Sequence, residues 1–115
     1  MAANSGSAQI GATDIPSISG SGTITMIVTV TKTADNSIMS NWTIKQKYYR
    51  NGGAALIGST PDEEIIDDNI GLTKPTMSFI GTYPSTPIQV VCNISAHITL
   101  STSWAVKFII DSVGN

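Results

Sequence analysis

Chemistry in this chain would have to start from very few side chains. His97 is the only histidine, and the nearest serine, Ser95, lies two residues before it. A Ser-His-Asp triad would have to use that histidine, and a serine nucleophile on an α/β-hydrolase elbow needs glycines two residues either side. No serine here has them, so His97 reads as a loop or strand-end histidine. Cys92 is the only cysteine, which excludes an internal disulfide. A structural zinc site needs three or four ligands, and one His and one Cys five residues apart do not supply them. No basic residue flanks Cys92 to stabilise a thiolate, so it reads as a small buried hydrophobe.

Carboxylates are the one concentrated group. Asp62, Glu63, Glu64, Asp67 and Asp68 are five of the chain's eight acids. Clustered carboxylates can hold a hard cation, and a pair of them can hydrolyse a glycosidic bond. This run lacks calcium-loop spacing and has no partner histidine or arginine cluster. It reads as a solvated face, with Asp62 and Glu64 as candidate contact residues. No catalytic residue, metal or cofactor is expected. The seven aromatics are Trp42, Tyr48, Tyr49, Phe79, Tyr83, Trp104 and Phe108. All but one fall on faces expected to point inward. Tyr49 breaks the alternation beside Arg50 and Asn51. An exposed Tyr49-Arg50 pair with Asn51 at a hairpin tip is the best candidate for a receptor or subunit contact.

The elements that would position these residues are strands. The 115-residue chain holds 17 Ile and 6 Val against 3 Leu, with 14 Ser and 14 Thr. β-branched residues are stiff at χ1 and suit a pleated surface. Residues 23–32 alternate, with Ile24, Met26, Val28 and Val30 on one face and threonines on the other, and Asp35-Asn36 supplies a turn. Residues 37–50 alternate again, placing Ile38, Trp42, Ile44 and Tyr48 together. Asn51-Gly52-Gly53 marks a tight hairpin, with 54–59 as the returning strand. A short strand is expected near 63–67 and another over 76–83, with Met77, Phe79 and Tyr83 on one side. A turn at 84–87 leads to 88–96, where Ile88, Val90, Cys92, Ile94 and Ala96 share a face. Residues 102–113 close the chain with Trp104, Val106, Phe108 and Ile110 inward.

Strands every 10–15 residues with turn chemistry between them predict an all-β, antiparallel β-sandwich, jelly-roll-like, of about seven or eight strands. Residues 1–22, rich in Gly, Ser and Ala, read as an N-terminal extended segment with edge strands around 8–10 and 14–19. Residues 23–115 form the single sandwich domain. Charged residues make up only 12% and the net charge is −2, so no basic stripe points to nucleic acid. The N-terminus lacks the charged and apolar regions of a signal peptide, and no apolar run reaches bilayer length. A soluble protein made in the cytoplasm, or a fragment cut from something longer, without membrane insertion, is expected. The sequons at Asn41 and Asn93 fall inside expected strands and read as chance.

Residues 87–115 carry a resemblance. An alternating strand over Ile88–Ala96, a short connection, and a final strand opening at Trp104 and running to Val113 are similar to the ends of bacteriophage tail-fibre, tailspike and related virion proteins. Tyr48–Ser59 also looks like the Arg-x-Gly-Gly hairpin that precedes the final strands of such proteins. The chain departs from them at Ala96-His97-Ile98, where they often carry glycine. The resemblance spans about half the chain. It implies a β-sandwich end domain, commonly a homotrimer, that assembles with itself and other virion proteins and contacts a host-surface glycan. It implies no enzyme activity, and a virion location after synthesis in the host cytoplasm. Ile27, Val91, Ile109 and Val113, on nominally outward faces, would lie against sister chains. The competing readings are a free-standing carbohydrate-binding module or lectin-like β-sandwich, which would need Tyr49 or Trp42 exposed, and a hydrolase working through the acidic run.

Overall fold

The computed structural model describes residues 1–17, 19–52, 54–57, 62–67, 71–82 and 85–114, with the backbone alone at 54, 56–57, 62–67 and 113–114. Eight strands run in order: β1 (Ser7–Asp14), β2 (Gly20–Lys32), β3 (Ile38–Asn51), β4 (Ala54–Ile57), β5 (Asp62–Asp67), β6 (Thr76–Ile80), β7 (Gln89–Ser95) and β8 (Thr102–Gly114). No helix occurs among the described residues. All pairings are antiparallel. One sheet has the order β1-β7-β6 and the other β4-β3-β2-β8, with β5 also on β3. β4 pairs with Tyr48–Asn51 and β5 with Asn41–Lys45, so they lie end to end along one edge of β3. β2, β3 and β4 follow one another and β8 returns beside β2, which is a Greek key. The molecule is all-β and sandwich-like.

The alternation explains the layers. Ile24, Met26, Val28 and Val30 of β2 are fully buried and face Val90, Cys92 and Ile94 of β7 in one apolar cluster. Burying each such side chain stabilises the fold by about 1.5–3 kcal/mol. Trp42 and Trp104 stack across β2 with ring centroids 6.0 Å apart. Tyr48 meets Phe79 of the opposite sheet edge-on at 6.3 Å. Neighbouring Gly22 has no room for a side chain, because a Cβ would lie 2.5 Å from the Tyr48 ring.

Turn chemistry closes the β2–β3 hairpin as its residues suggest. Asn36 has positive φ, and the Asp35 carboxylate accepts from the Ser37 N–H at 3.0 Å and its hydroxyl at 2.7 Å. Those two donors hold the Asp35 carboxyl below its ordinary range. At the β3–β4 turn Asn51 pairs with Ala54, and Gly52 takes φ 55°.

Three expectations change. Ile38 is 59% exposed instead of facing inward, because the β2–β3 register shifts between Val30 and Thr31 and turns Met39 into the core. Residues 7–14 form one strand with an irregularity between Ile10 and Thr13, where Gly11 takes φ 70°. Pro16 follows that strand and lies outside any ladder. The sixth strand stops at Ile80, and Tyr83, expected on its inner face, lies outside the described residues.

Candidate functional site

The hairpin tip divides the residues proposed as one contact. Tyr49 is 45% exposed on the outer face of β3. Arg50, the next residue, points inward and is only 2% exposed. Its Nε donates to the Gly52 carbonyl at 2.9 Å, and one terminal nitrogen donates to the Pro16 carbonyl at 3.0 Å and to that of Ile15 at 3.4 Å. An exposed Tyr-Arg pair is therefore corrected: Arg50 ties the hairpin to the segment between β1 and β2, and Tyr49 stands alone. Asn51 is exposed, and the Gly52 N–H donates to Ser19 Oγ at 3.0 Å.

The acidic strand sits elsewhere on the same edge. Asp62 lies opposite Lys45 and Glu64 opposite Thr43 in the β3–β5 register. Lys45 is four residues from Tyr49, about 13 Å along a strand. The fold does not bring Asp62 and Glu64 to the hairpin tip. Asp68 lies outside the described residues. No group of three or more His, Cys, Asp or Glu side chains gathers among the described residues.

The remaining reactive groups are built into the structure. Cys92 is fully buried, and burial pushes its thiol up to about 11. His97 is buried in the β7–β8 crossover, where its Nδ1 accepts the N–H groups of Thr99 and Leu100, both at 3.1 Å. That leaves Nε2 to carry the proton. The His97 carbonyl accepts from the Asn4 N–H at 2.7 Å. Ser95 ends β7, two residues before His97. Asn93 sits in a polar ladder across the three-stranded sheet, accepting from Gln9 Nε2 at 3.2 Å and donating to Ser78 Oγ at 3.1 Å.

Two features escape a reading by motif. A groove of about 420 Å³ opens between β1 and β8, lined by Met1, Ala8, Ile10, Ile94, Ser103 and Trp104. Trp104 is half-buried there and its Nε1 donates to the buried Thr102 hydroxyl at 2.9 Å. The second feature is β8 itself, paired with β2 on one side and with no strand on the other among the described residues. Of the outward apolar residues, Val91 is buried within the chain, Ile27 is half-buried and Ile109 is 41% exposed. The side chain of Val113 is not described.

No helix among the described residues is long and apolar enough to cross a membrane. Comparison with protein-family models, with curated proteins and with solved structures returns no match.

Proposed function

We propose that this chain is a non-enzymatic structural domain of a virion, the end domain of a bacteriophage tail fibre or spike, which associates with copies of itself and contacts the host surface. The reading draws on the likeness of residues 48–59, 88–96 and 104–113 to such ends, and those segments are the β3–β4 hairpin, β7 and β8. The observation that carries it is the surface. Ile38, Tyr49, Ile98 and Ile109 are large, apolar and exposed on a chain with few charges. Such residues on Ser/Thr-rich faces suit contact with further protein. The resemblance carries the expectation of three copies and of other virion partners. The finer architecture proposed, jelly-roll-like, rests on one Greek key where a jelly roll has two.

Light scattering of the isolated chain across concentration tests the reading. A stable oligomer is expected, and a monomer at the highest concentrations overturns it. The lectin reading keeps Tyr49 but loses Trp42, which is 1% exposed inside the core. One tyrosine is a poor sugar platform. A monomer whose glycan binding is abolished by Tyr49→Ala would replace the virion reading with the lectin one.

A further inference from the structure

The edge of β8 that is unpaired among the described residues has a geometry that selects its partner. Thr102 exchanges backbone hydrogen bonds with Met1: its N–H donates to the Met1 carbonyl at 2.9 Å, and the Met1 amino group donates to its carbonyl. Ser101, in contrast, accepts from Thr33 beyond the end of β2. In an antiparallel ladder these directions alternate, and the β2–β8 register runs without a shift from Gly20–Gly114 to Lys32–Thr102. The even-numbered residues of β8 therefore aim their N–H and C=O groups away from β2. Met1 satisfies those of Thr102, and Trp104, Val106, Phe108 and Ile110 have no strand opposite them among the described residues.

Natural edges are usually short, kinked, or protected by charge or proline. This one is 13 residues long, contains no proline and has no bulge. Its core-facing side chains Trp104, Val106, Phe108 and Ile110 are only half-buried. Its outer face carries Lys107 and Asp111 on either side of Ile109, all exposed. Lys107 and Asp111 stand about 13 Å apart along the strand, too far to pair with each other. No ion pair engages either among the described residues.

We infer that β8 pairs antiparallel with β8 of a second copy, about a two-fold axis through Ile109. Only even residues can form the hydrogen-bonded pairs, which limits the register. A two-fold through Lys107 or Asp111 sets like charges opposite each other. The two-fold through Ile109 sets Lys107 opposite Asp111 of the other copy, twice, and Ile109 opposite itself. Phe108 then exchanges hydrogen bonds with Ile110 of the other copy. Ile109 and the two ion pairs fall at non-hydrogen-bonded positions, where opposed side chains are closest. The two larger sheets become one continuous sheet, and each copy covers the other's half-buried Trp104–Ile110 row. This rests on the self-association reading alone, names its surface, and puts a two-fold pair in place of three copies.

Sedimentation equilibrium of the full chain and its charge variants tests the pairing. K107D alone and D111K alone should each raise the dimer dissociation constant about tenfold or more. The double variant K107D/D111K should return it to near the parent value. Both positions are exposed, so folding is preserved. In parallel, I109C should oxidise to a covalent dimer, because opposed Cα atoms at such a pair lie about 4.5 Å apart, within disulfide reach. A105C, about 27 Å from its counterpart in this register, should not. Buried Cys92 stays out of that reaction. An oligomer that ignores the charge exchange, or a trimer in which I109C fails to cross-link, overturns the β8 pairing and leaves the self-associating virion reading standing. A monomer at every concentration overturns both.

Discussion

Arg50 and Tyr49 are adjacent, and the pleat gives them opposite fates. The Arg50 guanidinium reaches the carbonyls of Ile15, Pro16 and Gly52, so its loss strands acceptors at a buried position. Arg50→Ala should cost about 3 kcal/mol in urea unfolding. Arg50→Lys should recover less than half, since a point ammonium cannot span the same carbonyls as a planar fork. Tyr49→Ala should stay within about 0.5 kcal/mol of the parent, leaving any effect on surface binding readable by itself. The inward direction of Arg50 was legible, because Trp42, Ile44 and Tyr48 share its parity and are buried. Charge argued the other way, since arginine is rarely buried without partners, and those partners are carbonyls that no motif announces. Cys92 has a separate pH signature. Its folded thiol, pushed up to about 11, lies above the ordinary thiol value near 9.0. The thiol is protonated in both states below about pH 9, so its stabilising effect is fully present there. Between about 9 and 11 the unfolded chain ionises first and stability falls. The loss should reach roughly 2–3 kcal/mol and be missing from Cys92→Ala, with the difference between the two proteins across that window isolating it from tyrosine and lysine titration.

At the scale of elements, alternation placed the strands and local irregularities set their details. β2 needed only its own pattern, and its four inward residues are all fully buried. The start of β3 could not be read the same way. Ile38 and Met39 are both apolar, and which one enters the core depends on the register shift opposite Thr31. Likewise β4 and β5 read as successive strands, but their end-to-end placement on β3 follows from tertiary pairing. Gly22 shows how tightly the register is fixed. It lies between Tyr48 and Ser112 in the central strand, where a Cβ would meet the Asp111 carbonyl oxygen at 2.3 Å and the Tyr48 ring at 2.5 Å. Gly22→Ala must displace a backbone as well as a ring and should cost about 2–3 kcal/mol. Gly52 has open space around it, and its φ of 55° is the only penalty. Gly52→Ala should cost about 1 kcal/mol. Thermal unfolding of the two variants side by side checks the contrast, and equal effects would mean that Gly22 is not a close-packed position.

The whole molecule is joined through its two ends. β1 pairs Ser7 with Ser95, and β2 pairs Gly20 with Gly114. Which edges stay open depends on pairings this distant, and for that reason the edge of β8 left unpaired among the described residues, and the groove beside it, were not legible from local pattern. Residues 1–14 are bound into this arrangement at several points. Met1 pairs with Thr102, Asn4 with His97 and Gly6 with Ala96, while Gly11 approaches Val106 so closely that a Cβ would lie 2.3 Å from its Cγ1. Without β1 the smaller sheet is the β6–β7 hairpin alone, and a two-stranded ribbon is marginal in water. Ile94 and Cys92 would lose their neighbours Ala8 and Ile10 in the sheet, and the inner face of β8 would lose its cover. Deleting residues 1–14 should therefore abolish the cooperative transition instead of trimming a flexible arm. The near-ultraviolet circular dichroism from the stacked Trp42 and Trp104 should collapse, and the dye ANS should bind. A truncated chain that keeps that signal and a sharp melt within a few degrees of the parent would mean that the β2–β3–β8 sheet and the β6–β7 hairpin hold the core by themselves.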